Sequence, residues 1–237
     1  MAGLTPCSNE EVMIKGDQGL QDCSSLGAEA ATAVGLVDQV AEGVVQLVNS
    51  SGEHWIACQR GCNICCTVFV RVTHAEAAAV AAWLLAPSRA DRLQRFREQM
   101  ALWHAALGPE VGQLERLATK YDGLPTSELD SRLLAEAARA YHQRRLMCPF
   151  NAGDGSCEIY AIRPVVCRAF YVADTCENCS LDATREAAVV RHAKLTEIAL
   201  LARRLLREAS AVVGHDTVSA LPAGVERALA VLEIVPQ

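Results

Sequence analysis

Aromatic side chains are scarce in this chain, at 5% of its residues. A β-rich fold leans on aromatic and β-branched residues, and runs of that kind are few here. An excess of positive charge is also missing: 22 basic residues face 28 acidic ones, for a net charge of -6. That balance argues against nonspecific nucleic-acid binding. No Gly-x-Gly-x-x-Gly follows a candidate strand, and no Gly-x-Ser-x-Gly occurs. A dinucleotide or S-adenosylmethionine pocket of the first type, or a serine hydrolase of the second, therefore has no local support. No run of eighteen apolar residues is found. Ala75–Ala86 is the most apolar stretch, and it is short and flanked by His74 and Pro87. Met1 to Leu26 lacks the basic start and apolar core of a secretory signal. The expectation is a soluble, cytoplasmic protein with no nucleic-acid and no membrane partner.

What the chain does have is cysteine, eleven in all. A disulfide framework belongs to small secreted domains. In a reducing cytosol, thiols at these spacings suit metal or redox work better. Four of them, Cys58, Cys62, Cys65 and Cys66, fall within nine residues. Five more follow far downstream: Cys148, Cys157, Cys167, Cys176 and Cys179. Thiolates bind soft and borderline metals, and a tetrahedral site needs four ligands. If 58–66 is helical, its cysteines share one face. If it is a turn, Cys62-x-x-Cys65 is a two-ligand knuckle and Gly61 permits the tight backbone before it. Neighbouring side chains diverge, so Cys65 and Cys66 are hard to place on one ion. Two metals, a polynuclear cluster or one non-ligand cysteine would resolve that. Cys176-x-x-Cys179 is a second knuckle-like pair and equally a possible thiol redox couple, while His54 and His74 flank the first cluster.

Around these clusters the pattern is helical, with half the residues apolar. Residues 1–27 show no period and read as a disordered tail, in which Cys7 and Cys23 serve no function. Residues 28–237 read as one helical domain carrying a cysteine module at about 55–180. Val34, Val37, Ala41, Val44 and Val48 make the first stripe, stopped by Asn49-Ser50-Ser51-Gly52. Residues 67–72 are one strand or an extended linker. Thr73-His74-Ala75-Glu76 is a capping box opening a helix that Pro87 ends. Leu93, Phe96, Met100, Trp103 and Leu107 mark the next helix, Val111, Leu114 and Leu117 another. Leu129, Leu133, Ala137 and Tyr141 mark a fourth, whose Arg144-Arg145 end suits the helix dipole. After the loop-rich stretch 146–180, helix is expected from about Leu181, with Leu195, Ile198, Leu201 and Leu205 buried. A last helix opens near Pro222 with Val225, Leu229 and Leu232. The fold expected is mainly α, with an irregular cysteine-rich metal-binding face.

The downstream cluster reads Cys148-Pro149-Phe150, then Cys157-Glu158-Ile159-Tyr160-Ala161-Ile162-Arg163-Pro164-Val165-Val166-Cys167-Arg168-Ala169-Phe170. Together with Cys62, Cys65 and Cys66 it resembles the YkgJ-type cysteine-cluster family over roughly residues 55–180. Cys58 and Cys62 are spaced one residue wider than the Cys-x-x-Cys opening of that pattern, and Cys176 resembles its later single cysteine. The resemblance implies zinc or iron chelation, mononuclear or as an iron–sulfur cluster. The family includes flagellin lysine N-methylase, so an enzyme is the alternative it implies.

The ligand set expected is Cys62, Cys65, Cys66, Cys148, Cys157 and Cys167, joined by Cys58 and Cys176. Eight sulfurs suit two four-ligand sites or one larger cluster. Arg163 and Arg168 flank the last cysteines and can donate to the sulfurs, offsetting their charge. Pro164 stiffens the turn between Tyr160 and Cys167, and Tyr160 and Phe170 either wall the site from water or belong to the core. The functions expected are structural, sensory or electron-carrying, with a protein methylase-like or redox enzyme, or a metal-free thiol–disulfide protein, as alternatives.

Overall fold

The computed structural model describes residues 16–58, 61–121, 127–175, 177–179 and 188–233, with the side chains of 16–29 and of Asn178 left aside. Among the described residues there are eight α-helices and one short antiparallel ribbon. The helices are α1 (Gly16–Ser50), α2 (His74–Leu84), α3 (Ala90–Ala106), α4 (Glu110–Tyr121), α5 (Glu128–Gln143), α6 (Val165–Ala169), α7 (Ala193–Val212) and α8 (Leu221–Glu233). The ribbon pairs β1 (Arg71–Val72) with β2 (Ser219–Ala220), Arg71 opposite Ala220.

Helix α2 is the centre of the arrangement. Its alanines make it thin, and a helix apolar all round belongs inside. Ala77, Val80, Ala81 and Leu84 join one core with Phe96, Met100 and Trp103 of α3, Leu114 of α4, Tyr141 of α5 and Val225 and Leu229 of α8. Ala75 and Ala79 join a second core with Val34, Val37, Ala41 and Val44 of α1, Val165 of α6 and Leu195 and Leu206 of α7. The capping box is present as expected: the Thr73 hydroxyl accepts from the Glu76 N–H, and the Glu76 carboxylate accepts from the Thr73 N–H at 2.9 Å. Glu76 does more than cap. It is buried, and its other oxygen accepts from the Val165 N–H at 3.0 Å, at the start of α6. One carboxylate thus ties the N-termini of two helices. Burial pushes its carboxyl up, and the donors at Thr73 and Val165, with Arg203 nearby, offset only part of that rise.

Several expectations need correction. Helix α1 starts at Gly16 and takes in residues 16–27, while 1–15 with Cys7 lie outside the described residues. The side chain of Cys23 is likewise not described. Strand β2 was not expected at all. Helix α7 begins at Ala193, and 188–192 is non-helical, with Val189 bridged to Val172; residues 180–187 lie outside the described residues. Its buried stripe is Leu195, Ala199, Ala202 and Leu206, whereas Leu201 and Leu205 are exposed. Leucines surround this helix, so their spacing left the phase open, and the smaller alanines mark the packed side. Leu129 of α5 is exposed too.

By length and hydropathy, the Ala30–Ser50 part of α1 is apolar enough to cross a membrane. Here its stripe of small residues packs against α2, α6 and α7.

Candidate functional site

From Gly61 to Thr67 the first cluster is a turn rather than a helix. Gly61 has φ of 90°, and Ile64–Thr67 forms a single 3-10 turn that presents Cys65 and Cys66. The second cluster arrives on a tight hairpin, 148–157, bridged between Asn151 and Cys157. Phe150 anchors it by stacking on Phe96 of α3, with ring centroids 4.6 Å apart. Arg92 and Arg95 of α3 hold its far end, donating to the Glu158 carbonyl at 2.9 Å and its carboxylate at 2.7 Å. Cys167 comes from α6, which opens after Pro164.

Two backbone contacts join these segments. The Cys148 N–H donates to the Cys66 carbonyl at 2.8 Å. Gly155, with φ of 82°, lies so near the first loop that a Cβ built on it would be 2.7 Å from the Gly61 carbonyl oxygen. Gly155→Ala is therefore expected to lower stability by about 1–3 kcal/mol through backbone strain alone. The matched control is Gly153→Ala, where a new Cβ meets nothing within 4 Å. Thermal unfolding of the two variants side by side checks this, and equal midpoints would refute it.

Cys65, Cys66, Cys148, Cys157 and Cys167 are close enough for their charges to act on one another. Cys65 is the outermost, and the hydrogen bond from Cys66 lowers it to about 7. The same bond, with burial behind it, pushes Cys66 up. Burial raises Cys148 to about 12 and lifts Cys157 and Cys167 as well. Backbone N–H groups already point at sulfur: Phe150 donates to Cys148 and Ile159 to Cys157. The Asn151 amide approaches Cys66 at 3.9 Å. Among the described residues, no three His, Cys, Asp or Glu side chains stand in an arrangement ready to hold a metal ion.

The remaining predicted ligands are placed differently. Cys62 is half-buried just after Gly61. Cys58 lies on the segment bridged to 172–173, where its sulfur accepts from the Val172 N–H at 3.3 Å. Cys176 falls outside the described residues, and Cys179 is half-buried on a short 3-10 turn. His54 pairs with Asp174 at 3.1 Å, and His74 stacks on His215.

The two arginines have different tasks. Arg163 is the positive group that draws Cys65, Cys157 and Cys167 down, and its buried Nε has no hydrogen-bond partner among the described residues. Arg168 does not act as a sulfur donor as expected. It is 2% exposed, and it donates to the carbonyls of Arg163 (2.8 Å), Ala161 (2.7 Å) and Tyr160 (3.5 Å) and to Asp38 of α1 at 2.5 Å. It fastens the turn before α6 to α1. Tyr160 and Phe170 are exposed rather than core, and Arg163 lies over the Tyr160 ring at 4.2 Å. The parts that sequence reasoning missed are Asp38, Asn151 and the second role of Glu76. A lone acid beside an apolar stripe was the one available sign for Asp38.

Compared with known protein families, curated proteins and solved structures, the chain matches none.

Proposed function

We propose that this chain is a metal-binding protein that uses clustered cysteines to chelate zinc or iron, the latter as a single ion or an iron–sulfur cluster. The observation that supports it is that Cys65, Cys66, Cys148, Cys157 and Cys167, from three separate segments, come within electrostatic range of one another. Single buried cysteines are ordinary core residues. Five thiols within electrostatic range, with backbone N–H donors already aimed at two of them, are a soft donor set that a bound metal would draw together. Cys62 adjoins this group in the chain, and Cys58 and Cys176 complete the proposed ligand set. The role of the metal would be structural, sensory or electron-carrying.

Anaerobic purification followed by metal analysis and a visible spectrum tests the reading. Cys157→Ser and Cys167→Ser are each expected to lose most of the bound metal and to unfold more readily, because ligation and folding are coupled. Cys7→Ser is expected to change neither. Broad visible absorption that bleaches on reduction would assign an iron–sulfur cluster, and colourless zinc a tetrahedral thiolate site. A metal-free protein, or unchanged metal content in both serine variants, would overturn the reading.

A further inference from the structure

Beside the cysteines a buried donor lacks an acceptor. The Arg163 side chain is only 16% exposed, and its Nε–H has no hydrogen-bond partner among the described residues. Buried donors are nearly always paired, so this one calls for an explanation. The rest of the guanidinium is held in place. It lies over the Tyr160 ring at 4.2 Å, donates to the Tyr171 hydroxyl, and has Asp38 at 3.9 Å. Its charge reaches Cys65, Cys157 and Cys167 together. Other arginines of this face are already committed. Arg168 serves three carbonyls and Asp38, Arg92 serves the Glu158 carbonyl, and Arg95 serves the carboxylates of Glu158 and Asp91.

We propose that Arg163 is the positioning and charge-balancing residue of the metal centre: its guanidinium offsets the charge of the metal-bound thiolates, and its Nε–H is kept for one of their sulfurs. A neutral thiol is a weak acceptor and offers this donor little. A thiolate is a strong acceptor, and metal binding requires thiolates. Four thiolates on a divalent ion leave a net charge of about −2, which is costly away from water. A guanidinium already fixed on a ring and beside a carboxylate meets that charge without first having to be ordered. The role rests on the metal-binding reading above, and it names the residue that sets the affinity and the electronic state of that site.

Anaerobic titration of the full-length chain with cobalt(II), a coloured stand-in for zinc or iron in thiolate sites, tests it. The wild type is expected to develop sulfur-to-cobalt charge-transfer bands. Arg163→Gln is expected to bind cobalt about 10–100-fold more weakly, the usual cost of losing such an outer partner. Its bands should also move to longer wavelength, because a sulfur relieved of a hydrogen bond and a nearby cation gives up its electron more readily. Arg163→Lys keeps the charge and should recover part of the affinity. Leu206→Ala, a cavity variant in the second core, should unfold more readily and leave the bands where they are. No cobalt bound by the wild type would sink the metal reading and the role of Arg163 together. With cobalt bound, four results would each overturn the role of Arg163 alone: unchanged affinity in Arg163→Gln, bands that stay in place, a lysine variant no better than the glutamine one, or the same band shift in Leu206→Ala.

Discussion

Arg168→Ala is expected to destabilise the protein by about 3 kcal/mol or more, because several carbonyls lose their buried donor at once. The change leaves the carbonyls of Tyr160, Ala161 and Arg163 without their donor and leaves Asp38 only the more distant Arg163, at 3.9 Å. Asp38 is partly open to water and can recover some solvation. Most of the loss therefore comes from the orphaned carbonyls and the emptied space, not from the aspartate. Arg168→Lys should rescue little. One ammonium lacks the flat fork that reaches three carbonyls and a carboxylate together. Urea denaturation with an unchanged slope and a lowered midpoint is the expected record. A loss under about 1 kcal/mol, the level of a surface pair, would show that Arg168 is not the fastening it is drawn as here.

Glu76→Ala is the second large effect, expected at about 3 kcal/mol or more because several buried donors lose their acceptor at once. The Thr73 N–H, the Thr73 hydroxyl and the Val165 N–H all turn to this carboxylate. Glu76→Gln should cost less. Its single carbonyl oxygen can keep one of these donors, while its amide nitrogen faces another. The alanine variant should also loosen α6, and with it Cys167. Alkylation of Cys167 under native conditions, read by mass spectrometry, should speed up in Glu76→Ala. An unchanged rate together with unchanged stability would mean that the carboxylate is dispensable to the α2–α6 junction.

These two residues show what could be read in advance. Glu76 was legible as a cap because the capping box is local, needing only the spacing Thr73-x-x-Glu76. Its bond to Val165 crosses 89 positions of chain, and no spacing rule reports such a contact. Arg168 was read as a neighbour of sulfur because Cys167 adjoins it in sequence. On a short helix, adjacent side chains leave in different directions, and Arg168 turned to α1. The same logic explains α7, where exposed leucines masked the true phase, and β2, two residues too few to give a strand pattern. The stripes of α1, α3 and α8 were plain because each alternates apolar and polar faces over several turns. For the cysteines, sequence grouped the sulfurs by spacing. The folded chain brings Cys65, Cys66, Cys148, Cys157 and Cys167 within electrostatic range of one another and sets Cys58 on a different segment, held by Val172.

The position of α2 has a consequence for how the molecule comes apart. Two cores usually invite two foldons, one able to open while the other persists. Here a single eleven-residue helix supplies side chains to both. Withdrawing it exposes the α1–α7 side and the α3–α8 side together. Neither half has a boundary along which it can be lost alone, so the helix makes the two cores one cooperative unit. Its amides, shielded from both directions, belong to the slowest-exchanging class, the one released only by global unfolding.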